Sequence, residues 1–169
     1  MELERVTKQL AENAQRINAL VRDIDDFRAH WKPDDVDWSM VEVINHLYDE
    51  ERLDFRVRIN YTLHKPGQEW PDIDPEGWVI ERAYNKRDLN VSLANFRDER
   101  QASLAWLEGL SNPDWGISYQ APFGVIKAGD LLAAWVAHDL LHLRQLVDLQ
   151  WAYMLEQVQP YDVRYAGEW

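Results

Sequence analysis

Four stretches of this chain repeat their apolar residues three, four or seven positions apart, and segments rich in Pro, Gly, Asp and Trp divide them. That pattern calls for helices packed on one another. The first stretch runs from about Leu3 to Phe27, with Leu3, Val6, Leu10, Ile17, Leu20, Val21 and Ile24 on one face and charges on the other. The segment HWKPDDVDW should end it, because Pro33 disfavours helix in the residue before it and clustered Asp suits a loop. The second stretch opens at Ser39, where Ser39 and Glu42 have capping-box spacing ahead of Met40, Val43, Ile44 and Leu47, and it reaches Leu63. The third covers about Tyr84 to Leu110, and the fourth about Ala128 to Glu156.

Between the second and third stretches, Lys65 to Trp78 holds three prolines and two glycines, too many for a helix and enough chain to cross from one end of a bundle towards the other. The segment SNPDWGISYQAPFG punctuates the chain again before the fourth, and no strand signal competes. The expectation is an all-α fold, a four-helix bundle with a long connection between helices 2 and 3. A chain of 169 residues suits one domain spanning 1–169.

A net charge of −12 repels phosphate backbones and anionic headgroups, so neither nucleic acid nor a membrane surface is expected as a partner. The absence of cysteine removes disulfides, thiolate ligands and a cysteine nucleophile together, so any thiol chemistry needs a thiol brought by the substrate. The first twenty residues mix charge into a helical pattern, unlike a signal peptide, and no run approaches a membrane span, so a cytoplasmic location is expected. Nine tryptophans exceed what a core of this size needs, and some should lie in loops or at a homodimer contact.

The chemistry gathers in WVAHDLLHLRQLVDL, where His138 and His142 lie one helical turn apart among Leu131, Leu132, Trp135, Leu146 and Leu149. Two imidazoles so placed can chelate a divalent ion from a rigid helix, and they can equally be core histidines with hydrogen-bond partners. His46 is the best third donor, since it shares the inward face of the second helix with Val43, Ile44 and Leu47. A shared ion accounts for three histidines on apolar stripes with one assumption. His30 and His64 fall near helix ends beside Lys-Pro loops and are poor ligand candidates.

WSMVEVINHLYDEER in the second helix and AHDLLHLRQL in the fourth, with GLSNPDW and an FG between, resemble the paired signatures of the DinB/YfiT-like superfamily across most of the chain. The resemblance implies a four-helix bundle with a long second connection and a metal held by one histidine of the second helix and an HxxxH pair of the fourth. Residue by residue these are His46, His138 and His142. The family includes thiol-dependent S-transferases, a mycothiol-dependent isomerase and proposed hydrolases. The resemblance therefore implies a metal-dependent enzyme with a small-molecule substrate, thiol transfer being the first expectation and a low-molecular-weight thiol the co-substrate. Metal-dependent hydrolysis and a non-catalytic, metal-stabilised dimeric module are the alternatives.

Three neutral imidazoles leave an ion with open positions, and zinc or nickel suits them best, with iron or manganese next. Glu50, one turn beyond His46, could serve as a further ligand or as the proton acceptor of a catalytic step, or be a solvated carboxylate. Asp49 and Asp139 point away from their neighbouring histidines, towards supporting or surface roles, and Gln145 can orient His142 or line the pocket. Arg52, Arg56 and Arg58 could greet an anionic substrate, but Asp49 with Arg52 and Asp54 with Arg58 fit surface ion pairs. Trp70, Trp78, Trp115 and Trp135 are candidates for a pocket wall or for structural and dimer contacts.

Overall fold

The computed structural model describes residues 2–169. Its elements, in chain order, are α1 (Leu3–Val21), α2 (Asp26–His30), α3 (Met40–Asp49), a wide π-helical turn (Glu50–Phe55), α4 (Arg56–His64), α5 (Pro75–Glu81), α6 (Leu89–Glu108), a hairpin of β1 (Ser118–Ala121) and β2 (Gly124–Lys127), and α7 (Ala128–Gln157). The helix α1 packs against α6 and α7, while α3 packs against α6 and α7 from the other side. Four long helical rods therefore enclose one interior, and the chain between α4 and α6 supplies the long connection expected of the second loop.

Local sequence explains where the rods begin and end. Ser39 accepts from the Glu42 amide and Glu42 reaches back to the Ser39 amide, completing the capping box that opens α3, a device that contributes about 1 kcal/mol. Asp88 caps α6 by accepting from Val91. The first stretch is shorter than its periodicity suggests. It stops at Val21, and Asp25 accepts from the Arg28 amide to start α2, so one amphipathic run becomes a helix and a capped single turn.

Further corrections concern the connections. The segment after Lys65 contains α5, which Asp74 caps and Pro75 starts, Pro being suited to a first helical position whose amide has no partner. Tyr84 to Lys86 form a separate 3-10 turn, so α6 begins at Leu89. The segment SYQAPFGVIK forms an antiparallel hairpin in which Tyr119 opposes Ile126 and Ala121 opposes Gly124. The strands escaped the sequence reading because they are four residues each and half exposed. Gly124 stands at φ +135, a backbone state that a side chain would strain.

The second rod is one helix with a wide turn inside it. Its inward residues Leu47, Glu51, Phe55 and Ile59 follow one another at intervals of four. In a regular helix each such step drifts by about 40°, so three would carry Ile59 about 120° off the buried face. The π-helical turn at Glu50–Phe55 takes up that drift.

Two of the apolar clusters fill the interior between the rods. One gathers Ile17, Val21, Val43, Ile44, Leu47, Leu93, Phe96, Leu146 and Leu149. The other gathers Leu10, Phe55, Ile59, Leu104, Leu107, Leu131, Leu132 and Trp135. Between them each rod contributes buried or half-buried polar side chains at one level: Asn13 from α1, His46 and Glu51 from the second rod, Arg100 from α6, and His138, Asp139 and His142 from α7. This polar belt positions the candidate site.

Candidate metal centre

His46 belongs to α3, and His138 and His142 belong to α7 one turn apart. The Nε2 atoms of His46 and His138 stand 3.2 Å apart, and those of His142 and His138 3.1 Å. One ligand atom from each of the three histidines lies within 4.8 Å of the others, and among the described residues no carboxylate joins the group. For a zinc–nitrogen bond of ~2.0–2.1 Å, tetrahedral ligand atoms are separated by ~3.3 Å. The two spacings about His138 therefore match adjacent corners of a coordination polyhedron to within a few tenths of an ångström.

The hydrogen-bond inventory of the rings points the same way. The Gln145 side-chain oxygen lies 2.7 Å from His142 Nδ1, which fixes the proton on that nitrogen and leaves the Nε2 lone pair facing the other rings. His46 Nδ1 is buried without a partner. Neutral rings whose lone pairs converge cannot all be satisfied by one another. An ion at the point of convergence is the group these residues fit.

Burial enforces the neutral state. It pushes the pKa of His46 down to about 3, helped by the proximity of His142 and opposed by Asp49. Burial also lowers His138, with His142, His46 and Arg100 adding to the effect, and lowers His142 against the pull of Gln145 and Asp139. Metal binding therefore competes with few protons at neutral pH. Aromatic rings shield the rest: Trp38 packs on His46 at a centroid distance of 4.8 Å, and Phe55 packs edge-on against His138 at 5.1 Å.

Glu50 is buried close to Asp54, and its Oε1 has no hydrogen-bond partner among the described residues. Burial, then the Asp54 charge, pushes its pKa up to about 8, which favours the protonated carboxyl. Asp54 in turn meets the Arg58 guanidinium at 2.7 Å. Arg52 pairs with Asp49 as the spacing suggests, while Arg56 reaches across to Glu99 and Ser103 on α6. All three arginines are thus engaged by carboxylates. His30 contacts two backbone carbonyls, of Asp26 and Arg87, and His64 is exposed, so neither approaches the three-ring cluster.

Other expectations are redistributed. Asp139 is fully buried: it accepts from Arg100 and from Asn13, and so holds α1, α6 and α7 together. Trp135 is a core residue whose indole donates to Glu51 and stacks on Phe55. Trp70 stacks on Tyr119 of the hairpin, and Trp78 packs with Tyr84. The tryptophan at the histidines is Trp38, which the sequence reading passed over because it precedes the helix and shows no periodicity.

The residue missed altogether is Arg100. Its signal was present, because it occupies the apolar stripe Leu93, Phe96, Arg100, Leu104, Leu107 of α6. A buried arginine requires buried carboxylates, and here they are Glu51 and Asp139, all three at most 1% exposed. Both oxygens of each carboxylate accept N–H bonds from Arg100, with Trp135 and Asn13 adding one each. That geometry fits two ionised carboxylates, even though burial pulls the pKa of Glu51 upward.

Comparisons with known proteins agree with this architecture. The profile of the DinB superfamily matches residues 9–146. No curated protein matches the chain by sequence. Among solved structures, YfiT from Bacillus subtilis, described as a probable metal-dependent hydrolase with an unusual four-helix bundle topology, superposes with a TM-score of 0.77. The two chains are 19% identical, and the match covers 88% of this chain and 85% of YfiT. At that identity the likeness shows the fold.

Proposed function

We propose that this chain, which belongs to the DinB superfamily, is a divalent-metal-dependent enzyme acting on a small molecule, with His46, His138 and His142 as the ligands. The observation that carries the reading is the convergence of three Nε2 atoms, with the His142 tautomer set by Gln145. An ion there supplies Lewis acidity, which at such centres brings the pKa of water or of a thiol towards neutrality. Three protein ligands are the usual number at catalytic zinc sites, whereas structural sites are closed by four. Zinc and nickel are the ions that an all-imidazole set favours, with iron and manganese next.

The chain's own groups divide the remaining work. Gln145 holds His142 in orientation, while Trp38 and Phe55 keep water from two sides of the rings. Glu50 handles the proton: neutral below about pH 8, it donates to a leaving group and accepts only once ionised. This turns the acceptor role expected from its spacing into a donor role at neutral pH.

Hydrolysis is the reading we favour, for two reasons. The structural relative YfiT is described as a probable metal-dependent hydrolase. Arg52, Arg56 and Arg58, which follow His46 along the second rod, are all paired with carboxylates and offer no free seat there for the carboxylates of a typical thiol cofactor. Thiol-dependent transfer is the second reading, supported by the uncharged ligand set, which leaves an ion its full attraction for anionic sulfur.

Elemental analysis of protein purified without a metal-affinity tag tests the site: about one divalent ion per chain is expected, and none in His46→Ala or His142→Ala. Intact stoichiometry in either variant overturns the ligand assignment. Turnover of small ester and amide substrates, with and without added thiol, then separates the two chemistries. A rate that requires thiol replaces hydrolysis by transfer.

A further inference from the structure

The Arg100 network holds more negative than positive charge. Arg100 spends every N–H it has: Nε and one terminal nitrogen on Glu51 at 2.7 and 2.9 Å, both terminal nitrogens on Asp139 at 2.8 Å, and one more bond on the Leu10 carbonyl at 2.8 Å. Two carboxylates against one guanidinium leave one uncompensated negative charge. Among the described residues no other cation comes within 4.0 Å of either carboxylate. Arg16, which reaches Asn13 on the far side, is already paired with Glu12 at the surface. An uncompensated charge in a bundle interior is unfavourable unless an opposite charge stands nearby.

The adjoining cluster of histidines is a place where such a charge could be held. Asp139 follows His138 directly in α7; its field raises the pKa of His142, while that of Arg100 lowers His138. Trp135, which donates to Glu51, stacks on Phe55 at 5.6 Å, and Phe55 in turn packs on His138 at 5.1 Å. Three neutral imidazoles add no charge of their own, so a divalent ion among them brings two positive charges into the same low-dielectric belt.

We propose that the Glu51–Arg100–Asp139 network is the fixed counter-charge of the ion held by His46, His138 and His142, and that it favours divalent over monovalent cations. The inference rests on the three-histidine site proposed above. The network acts through its field and touches neither ion nor substrate, which makes Glu51 and Asp139 positioning residues.

The test compares zinc and silver(I) affinities, measured by chelator competition, in the wild type and in Glu51→Gln. Removing one negative charge should weaken zinc by about tenfold and silver by about threefold, because the field acts on two charges in one ion and on one in the other. Trp135→Phe removes a hydrogen bond from Glu51 without changing charge, and should lower the melting temperature while leaving zinc affinity within about twofold. Unchanged zinc affinity in Glu51→Gln overturns the proposal, as does an equal loss for both ions, which would mark distorted geometry. If Glu51→Gln fails to fold, Asp139→Asn removes the same charge from the other side of Arg100 and is read the same way. A wild type that binds neither ion instead overturns the three-histidine site itself.

Discussion

Arg100 and the three histidines occupy one level of the bundle, yet they stand at opposite ends of a hydrogen-bonding scale. Every N–H of Arg100 and every oxygen of its two carboxylates has a partner supplied by the chain. The histidines instead turn their Nε2 atoms towards each other, with no donor of another residue facing them among the described residues. A polar group that ties helices together has its partners built in, since leaving one unmade costs more than making it gains. A group that awaits a ligand is left open towards the place the ligand takes. Saturation therefore separates the structural half of the belt from the functional half more sharply than burial does, because both halves are largely out of water.

The largest effect expected from this contrast is on folding. Arg100→Met strands two carboxylates in the interior and should cost about 3–5 kcal/mol in urea denaturation of the metal-free protein. His138→Ala removes one neutral ring from an unsatisfied set and should cost under about 2 kcal/mol. Equal costs would erase the distinction between the two halves.

Ligand addition should work in the other direction. Zinc at a hundredfold excess over its Kd stabilises by about 2.7 kcal/mol. Wild type, His30→Ala and His64→Ala should all gain that amount, and His142→Ala should gain nothing. Protection lost in His30→Ala would place that residue in the site despite its two carbonyl partners.

Smaller effects sharpen the boundary. Gln145→Ala releases the His142 ring and should weaken zinc by about tenfold with little change in metal-free stability. A stability loss without a loss of affinity would move Gln145 to the structural half. Finally, histidines whose folded pKa is depressed contribute stability that is present above the unfolded value of 6.5 and lost as pH falls through the window down to about 3. Glu50, raised to about 8, has the opposite sign and gains stability as pH falls from there. In the metal-free protein, His138→Gln should flatten the loss between pH 6.5 and 5 by about 1 kcal/mol per pH unit relative to wild type. Parallel curves would mean that His138 is not the buried neutral ring described.

The four rods, the long second connection and the trio of histidines were legible because each is written in periodicity: apolar steps of three and four, with histidines standing on the stripe. What escaped was written another way. Arg100, Glu51 and Asn13 also interrupt stripes, but a charged or amide side chain on a helix is read as solvent-facing unless its partners are known, and those partners lie on other rods. The break between α1 and α2 depended on one cap, Asp25, inside a run that stays amphipathic on both sides. The hairpin was too short for alternation to speak. The spacing of Glu50 after His46 was legible, but its raised pKa comes first from burial, which the surrounding rods supply, and only then from Asp54 four residues on.

The wide turn at Glu50–Phe55 also bears on anyone who would rebuild this centre elsewhere. Grafting His46, His138 and His142 onto straight, idealised rods would reproduce a chelator, because those residues precede the turn or lie on another helix. The residues beyond the turn would come out rotated, with Phe55 and Ile59 aimed away from the interior they fill here. Trimming one residue from the turn would instead restore the register in a regular helix, since it brings Ile59 back to within about 20° of the face of Leu47. The irregularity is part of the blueprint, and a transplant that omits it would carry the trio without its surroundings.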